Sequence, residues 1–319
     1  PVRGSVRTSS IMPKGAKRKA KAEAEARAAA EAAGEDEDND EYDEAPAIEL
    51  QAGEDDDEEL QVEFSFFDPR SEDYHAMRAM LSGGALLPEG IDPGGFADLL
   101  SEQAVVGTLV KGESIDTDLY GFISALSLQQ HKETKCVQQL IASILKRLPD
   151  APAREAVRAC MQDAQAPVGL VVSERFVNMP PQLLPNLVDA LLQDIAWAVQ
   201  HADDKADRVA FRFERLLLLA PIRMPAGKAK KADQAEPARK QPKHAAKSGP
   251  AAAALPEDAE FDRVEGAEFD RVEEECIAQA ADAAYLLNGT GRVRQMLLVL
   301  RLDAVRAAVP KLHALLGTA

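Results

Sequence analysis

Cysteine, tryptophan and long apolar runs are all scarce in this sequence, and each shortage removes a class of protein. The three cysteines, Cys136, Cys160 and Cys276, stand far apart without paired or metal-ligand spacing, which argues against a disulfide scaffold and suits a reducing compartment. No apolar stretch approaches the ~20 residues needed to span a bilayer. The N-terminal segment is basic and alanine-rich without the apolar stretch of a secretory signal, so a soluble intracellular protein with no membrane partner is expected. His75, His131, His201, His244 and His313 are scattered, leaving no zinc spacing, no serine nucleophile elbow and no reactive cysteine context. Neither a catalytic residue nor a metal or cofactor ligand is assigned.

What the chain has in excess is acid, and it is local. Of the formal net charge of -17, residues 35–59 contribute fifteen carboxylates and no Lys or Arg, so the remainder sums to -2. The run includes Asp36, Asp38, Asp55, Asp56, Asp57, Glu58 and Glu59. At this density carboxylates repel, and too little apolar surface is available to offset chain entropy, so residues 1–59 read as a disordered arm. Its acidic part either only solubilises or shields a basic protein in a salt-sensitive way. The basic part at 13–33 carries Lys14, Lys17, Arg18, Lys19 and Lys21, either a nuclear-import sequence or a solvated patch. A second basic, Pro- and Ala-rich segment at about 225–258, from Lys228 to Lys247, reads as a flexible insertion. An import signal, an RNA contact, an intramolecular partner for the acidic arm and a plain solvated loop all remain open for it.

Between and after these segments the pattern is that of one α/β domain, residues 60–319. Leu60, Val62, Phe64 and Phe66 alternate with polar residues as an opening strand, and Ser71 is placed to cap a helix carrying Tyr74, Met77, Met80 and Leu81. A short helix is expected over 96–103, strands over 105–110 and 120–128, and two helices before Pro167. A strand at 168–172 and a further one at 209–219 follow, then a last strand at 293–300 and a closing helix with Val305, Val309, Leu312, Leu315 and Leu316 inward, capped by Asp303 and kinked at Pro310. Residues Ala259–Glu265 are repeated as Ala267–Glu273 after Gly266. Two copies do not make a repeat architecture.

The most informative run is Val168 to Leu183. Five apolar residues, Val168 to Val172, suggest a strand covered on both faces; Ser173, Glu174 and Arg175 leave the sheet; Pro180 and Pro181 start a helix whose apolar face begins at Leu183. As a packed corner, it would pair Glu174 with Arg175. As a docking surface, it would present Ser173, Glu174, Arg175, Phe176, Asn178, Pro180, Pro181 and Gln182 to a partner.

This run resembles the signature segment of the BCCIP/Bcp family, and neighbouring blocks stand in the family's order: Val62-Glu63-Phe64, Gly107 to Lys111, Tyr120 to Leu128 and Cys136 to Gln139. The resemblance covers residues 60 to about 222. It implies an acetyltransferase-like (GNAT-type) fold without the activity, namely a single domain with a mixed, largely antiparallel sheet and flanking helices. It also implies a nuclear protein, possible shuttling to the cytoplasm with import and export receptors, and a basic large-subunit ribosomal protein as client, with tumour-suppressor and cell-cycle-inhibitor proteins as further partners. The residues address the enzymatic alternative directly. The stretch His131 to Lys135, taken as the counterpart of the phosphate-binding loop, has no glycine, and Gly289-Thr290-Gly291-Arg292 precedes a strand and reads as a hairpin turn. A non-enzymatic chaperone is therefore expected, with a cell-cycle and DNA-repair adaptor as the alternative and an acetyltransferase as a remote third. No direct sequence-specific nucleic-acid binding is expected.

Overall fold

Strands apolar at consecutive positions need cover on both faces, and the arrangement of helices provides it. A computed structural model describes residues 7–8, 63–112, 114–163, 165–224 and 268–317. The basic cluster Lys14 to Lys21, the acidic run 35–59, the insertion at 225–258 and the first duplicated copy lie outside these residues. The strands are β1 (Arg7–Thr8), β2 (Glu63–Phe67), β3 (Gly107–Lys111), β4 (Leu119–Ser127), β5 (Val168–Arg175), β6 (Arg215–Arg223), β7 (Glu268–Phe269), β8 (Ala283–Leu286) and β9 (Val293–Arg301). They form one sheet in the order β1-β2-β3-β4-β5-β6-β9-β8, with β7 paired to the end of β6. Among the described strands only β1 with β2 and β5 with β6 run parallel, so the sheet is mixed and largely antiparallel, as the family resemblance implies.

Four helices, α1 (Tyr74–Gly83), α2 (Pro93–Glu102), α3 (Lys135–Arg147) and α4 (Ala151–Gln162), cover one face, and α5 (Leu184–His201), α7 (Val272–Ala278) and α8 (Leu302–Leu316) the other. A short α6 (Lys205–Ala210) precedes β6. The two-residue period of β6 divides its apolar residues between them. Leu216, Leu218, Ala220 and Ile222 pack with Leu187, Ile195 and Leu312, while Leu217 and Leu219 pack with Met77, Phe96 and Ile144. Asp194 of α5 fastens the second layer to the sheet, accepting from the Gly107 amide at 3.1 Å and from Thr108 Oγ1 at 3.2 Å.

Several boundaries differ from the sequence reading for local reasons. Ser71 begins a 3-10 turn (Ser71–Asp73) and caps nothing; buried Asp73 accepts from the Arg70 amide at 3.0 Å and from Lys111 Nζ at 2.5 Å, and so ties the turn to β3. The helix expected from Phe96 starts at Pro93, because Asp92 accepts from the Gly94 amide at 2.9 Å and proline suits a first helical turn. Val209 belongs to α6, capped by Asp204, and the strand expected there runs instead over Arg215–Arg223. Phe211 and Phe213, whose alternation suggests a strand, are buried edge to face in the approach to it. Asp303 is the second residue of α8, Arg301 holds the cap position, and Leu315 is exposed while Val305, Val309 and Leu312 are buried. Gly289 to Arg292 is the expected turn, joining antiparallel β8 and β9 with Gly291 at φ +107°.

Candidate functional site

The parallel pair β5–β6 is where an α/β sheet offers a crevice, at the carboxyl ends of its strands. The connecting helix is α5, so the loop that would face a phosphate is Phe176 to Leu183. The stretch His131 to Lys135 instead leads into α3, between the antiparallel strands β4 and β5, and this corrects the sequence assignment. The Phe176 to Leu183 loop also has no glycine, and Pro180 and Pro181 remove two amide donors from it.

The crevice itself is filled by the chain. Pairing of β5 with β6 ends at Val171 with Leu218, although the strands continue to Arg175 and Arg223. Into this opening comes the second duplicated copy. Glu268 and Phe269 pair with Arg223 and Ile222, the Asp270 amide donates to the Pro221 carbonyl at 3.1 Å, and Asp270 Oδ1 meets Arg223 at 2.9 Å. Arg271 then crosses to β5, donating to the Ser173 carbonyl at 3.0 Å and to the Glu174 carboxylate.

Ser173, Glu174 and Arg175 therefore stay in the sheet, where they pair with Ile123, Phe122 and Gly121. Adjacent strand residues point to opposite faces, so the expected Glu174–Arg175 pair does not form. Glu174 faces α1 and also accepts from the Leu86 amide at 2.9 Å. Arg175 turns to the other layer and makes a two-point contact with Glu273 at 3.0 and 3.3 Å. Glu274 completes the cluster: its Oε1 accepts from Arg271 at 3.3 Å, and its Oε2 is buried with no hydrogen-bond partner. Burial pushes the Glu274 carboxyl from 4.5 up to about 8, against the pull of Arg271 and with Glu273 and Glu174 adding to the rise. Arg175 and Arg271 thus meet Glu174, Glu273 and a third carboxyl, Glu274, whose charged form burial disfavours.

Beyond Arg175 the motif turns outward. The Phe176 amide donates to the Tyr120 carbonyl at 2.9 Å and the Met179 amide to the Phe176 carbonyl at 3.2 Å, which closes a tight turn. Met179 and Leu183 are buried and anchor that turn, whereas Phe176 is 49% and Val177 97% exposed. Asn178 and Pro181 are exposed beside them, and Pro180 and Gln182 are half-buried at the start of the helix. The predicted site thus divides into two parts: Ser173, Glu174 and Arg175 are structural, and Phe176, Asn178, Pro181 and their neighbours form the exposed surface. Val177, Arg271, Glu273 and Glu274 were missed. A second apolar residue in a polar turn would have pointed to Val177, and the duplicated segment to the others.

The three cysteines are free and buried, and burial pushes each thiol up from its ordinary range. Among the described residues no group of three or more His, Cys, Asp or Glu could hold a metal ion, and no helix is long and apolar enough to cross a membrane.

Comparison with known proteins bears on the same corner. "Protein BCCIP homolog" of Arabidopsis thaliana is 33% identical over 53% of this chain and 52% of its own length. "Protein bcp1" of Aspergillus oryzae is 26% identical over 55% and 59%, and "BRCA2 and CDKN1A-interacting protein" of Homo sapiens 29% over 44% and 49%. The chain spans about half the length of the curated relatives it matches. The crystal structure of BCP1 from Saccharomyces cerevisiae shares the fold, at a TM-score of 0.55 and 18% identity over 79% of this chain and 88% of that one. The BCCIP family model matches residues 59–277, which take in β2, the turn at Phe176, the docked Arg271 and all but the last residue of α7: the chain belongs to the BCCIP family.

Proposed function

We propose that this protein is a non-enzymatic nuclear chaperone that escorts a basic ribosomal protein of the large subunit, with the turn at Phe176 as a docking point and the acidic arm as an electrostatic shield. The observation that carries the reading is one of placement. Following the strand directions, β2 begins at Glu63 on the same rim of the sheet where β5 ends and Phe176 and Val177 are exposed. Three strand spacings separate β2 from β5, roughly 14 Å. The run 35–59, with its fifteen carboxylates, precedes β2 in the chain and so leads into that rim. A basic client would find both kinds of contact within one footprint, apolar anchoring for its folded part and charge neutralisation for its RNA-binding lysines and arginines. Lys14 to Lys21 would serve nuclear import. The non-enzymatic part of the reading is supported by the filled β5–β6 opening, and acetyl-CoA should therefore produce no thermal shift.

The experiment is co-expression of the chain, intact and lacking residues 1–59, with the cognate large-subunit ribosomal protein, followed by size exclusion at low and high salt. The proposal expects a stoichiometric complex with the intact chain, weakened by salt and by loss of the arm. Absence of a complex under every condition would overturn it.

A second reading is favoured by the name of the human and mouse relatives, "BRCA2 and CDKN1A-interacting protein". In that reading the chain is an adaptor in cell-cycle control and DNA repair, the turn at Phe176 docks such partners, and the acidic arm only solubilises. Binding of those partners unaffected by removal of residues 1–59 would distinguish it.

A further inference from the structure

The opening between β5 and β6 receives a segment that the chain carries twice. Every backbone pairing and ion pair between β5 or β6 and residues 268–273 is made by a residue with an identical counterpart eight positions earlier: Glu260 for Glu268, Phe261 for Phe269, Asp262 for Asp270, Arg263 for Arg271 and Glu265 for Glu273. We infer that this opening is a docking site for either copy, and that Ala259–Glu265 is a competing occupant held in reserve on the same chain.

Chemical identity makes the exchange possible, and the flanks set its direction. In the downstream copy the next residues are Glu274, Glu275, Cys276, Ile277 and Ala278, and the last three are buried against α8 and the sheet. Their counterparts after the upstream copy are Glu268, Phe269 and Asp270, and two carboxylates in those places would be buried without partners. This is why the downstream copy occupies the site. The balance is not wholly one-sided: the counterpart of Glu274, whose Oε2 is buried and unpartnered, is Gly266. An upstream copy in the site would relieve that carboxyl, at the cost of the anchors that follow it. Reach is no obstacle. Forty-three residues lie between Met224 and Glu268, and a shift of eight shortens that connection to thirty-five. The exchange would also change which residues lie beside Phe176 on the rim. The inference does not depend on the client proposed above.

Three variants of the full chain test it: Arg263→Ala, Arg271→Ala and the double substitution, compared by thermal melting and by hydrogen exchange read by mass spectrometry. If the copies compete for one site, Arg263→Ala leaves Tm unchanged and Arg271→Ala lowers it by less than the double variant, by the cost of the flanks that the exchange displaces. The double variant then falls by about 5 to 10 °C, the scale for a buried carboxylate stripped of its partner in a domain of this size. In Arg271→Ala, amide protection moves onto residues 259–266. The inference is overturned if Arg271→Ala falls as far as the double variant, or fails to fold while Arg263→Ala folds. Where the Tm shifts are small throughout, the exchange data decide: residues 259–266 unprotected in Arg271→Ala reject the second occupant, and protected ones sustain it.

Discussion

Arg271 and Glu174 are 97 positions apart in the chain and form a direct ion pair that bridges the open end of β5 to the segment docked on β6. The Glu174 side chain is buried and that of Arg271 half-buried, and Glu174 also satisfies the Leu86 amide, so one carboxylate joins α1's exit, β5 and the docked copy. Replacement of Glu174 by alanine leaves a half-buried guanidinium and a buried amide without that acceptor. Glu174→Ala should cost about 3 to 5 kcal/mol, measured by urea unfolding against the parent. Arg271 has a duplicate in the sequence and Glu174 has none, so Glu174→Ala is expected to be the costlier of the two changes.

Glu274 makes stability depend on pH in the direction opposite to an ordinary ion-paired carboxylate. Burial raises its folded-state pKa from 4.5 to about 8, so between these values the folded chain holds a proton that the unfolded chain has released. Its contribution to stability is full below pH 4.5, declines as pH rises through that window and levels off above about 8. One such proton gives a slope of at most ~1.4 kcal/mol per pH unit. Glu274→Gln should remove that part of the slope and raise stability at pH 8 relative to the parent. Urea melts of both chains at pH 6, 7 and 8 provide the check, and parallel pH profiles would show that Glu274 does not titrate in this window.

Gly84 ends α1 with its α-carbon against the Glu174 carboxylate, and a Cβ there would overlap the carboxylate oxygens. The backbone at Gly84 is extended, with φ -81° and ψ 176°, so the demand is for space and not for a left-handed conformation. Gly84→Ala should lose about 1 to 3 kcal/mol. Combined with Glu174→Ala, the loss should be less than additive, because the second substitution removes the group that the first one meets.

How much of this corner could be read in advance follows from the range of the forces that build it. The apolar period along 168–172 and 183–195 depends on residues a few positions apart, and a strand and a helix formed there, although the strand runs on to Arg175 where the sequence reading has Ser173 to Arg175 leave the sheet, and the helix proper starts at Leu184 after a 3-10 turn. Pairing Glu174 with Arg175 applied a contact rule to neighbours in sequence, whereas in a strand they occupy opposite faces. Their partners, Arg271 and Glu273, come from 97 and 98 residues away. Nothing in local periodicity gives that register, and the duplication offered two equally good candidates. Val209 shows the converse error: its alternation with Phe211 and Phe213 imitates a strand, but Asp204 caps a turn of helix there and the two phenylalanines are buried by tertiary packing. The turn at Phe176 lay within the predicted site, yet its division into anchors and exposed groups depended on Met179 facing inward.

That division yields a test that separates folding from binding. Phe176 and Val177 project from a turn held by buried Met179 and by the hydrogen bond that the Phe176 amide donates to the Tyr120 carbonyl, so their side chains add little to the fold. Phe176→Ser with Val177→Ser should change stability by no more than about 0.5 kcal/mol, as expected for exposed positions. Aromatic and apolar groups at the centre of an interface often contribute 2 kcal/mol or more to binding. The same pair of changes should therefore weaken the complex with the proposed ribosomal client at least tenfold, while Asn178→Ala beside them should have a smaller effect. Titration of the client against both variants at a fixed salt concentration measures this. Undiminished affinity in the doubly substituted chain, with its fold intact, would move the docking face away from the turn and leave the acidic arm to account for client binding alone.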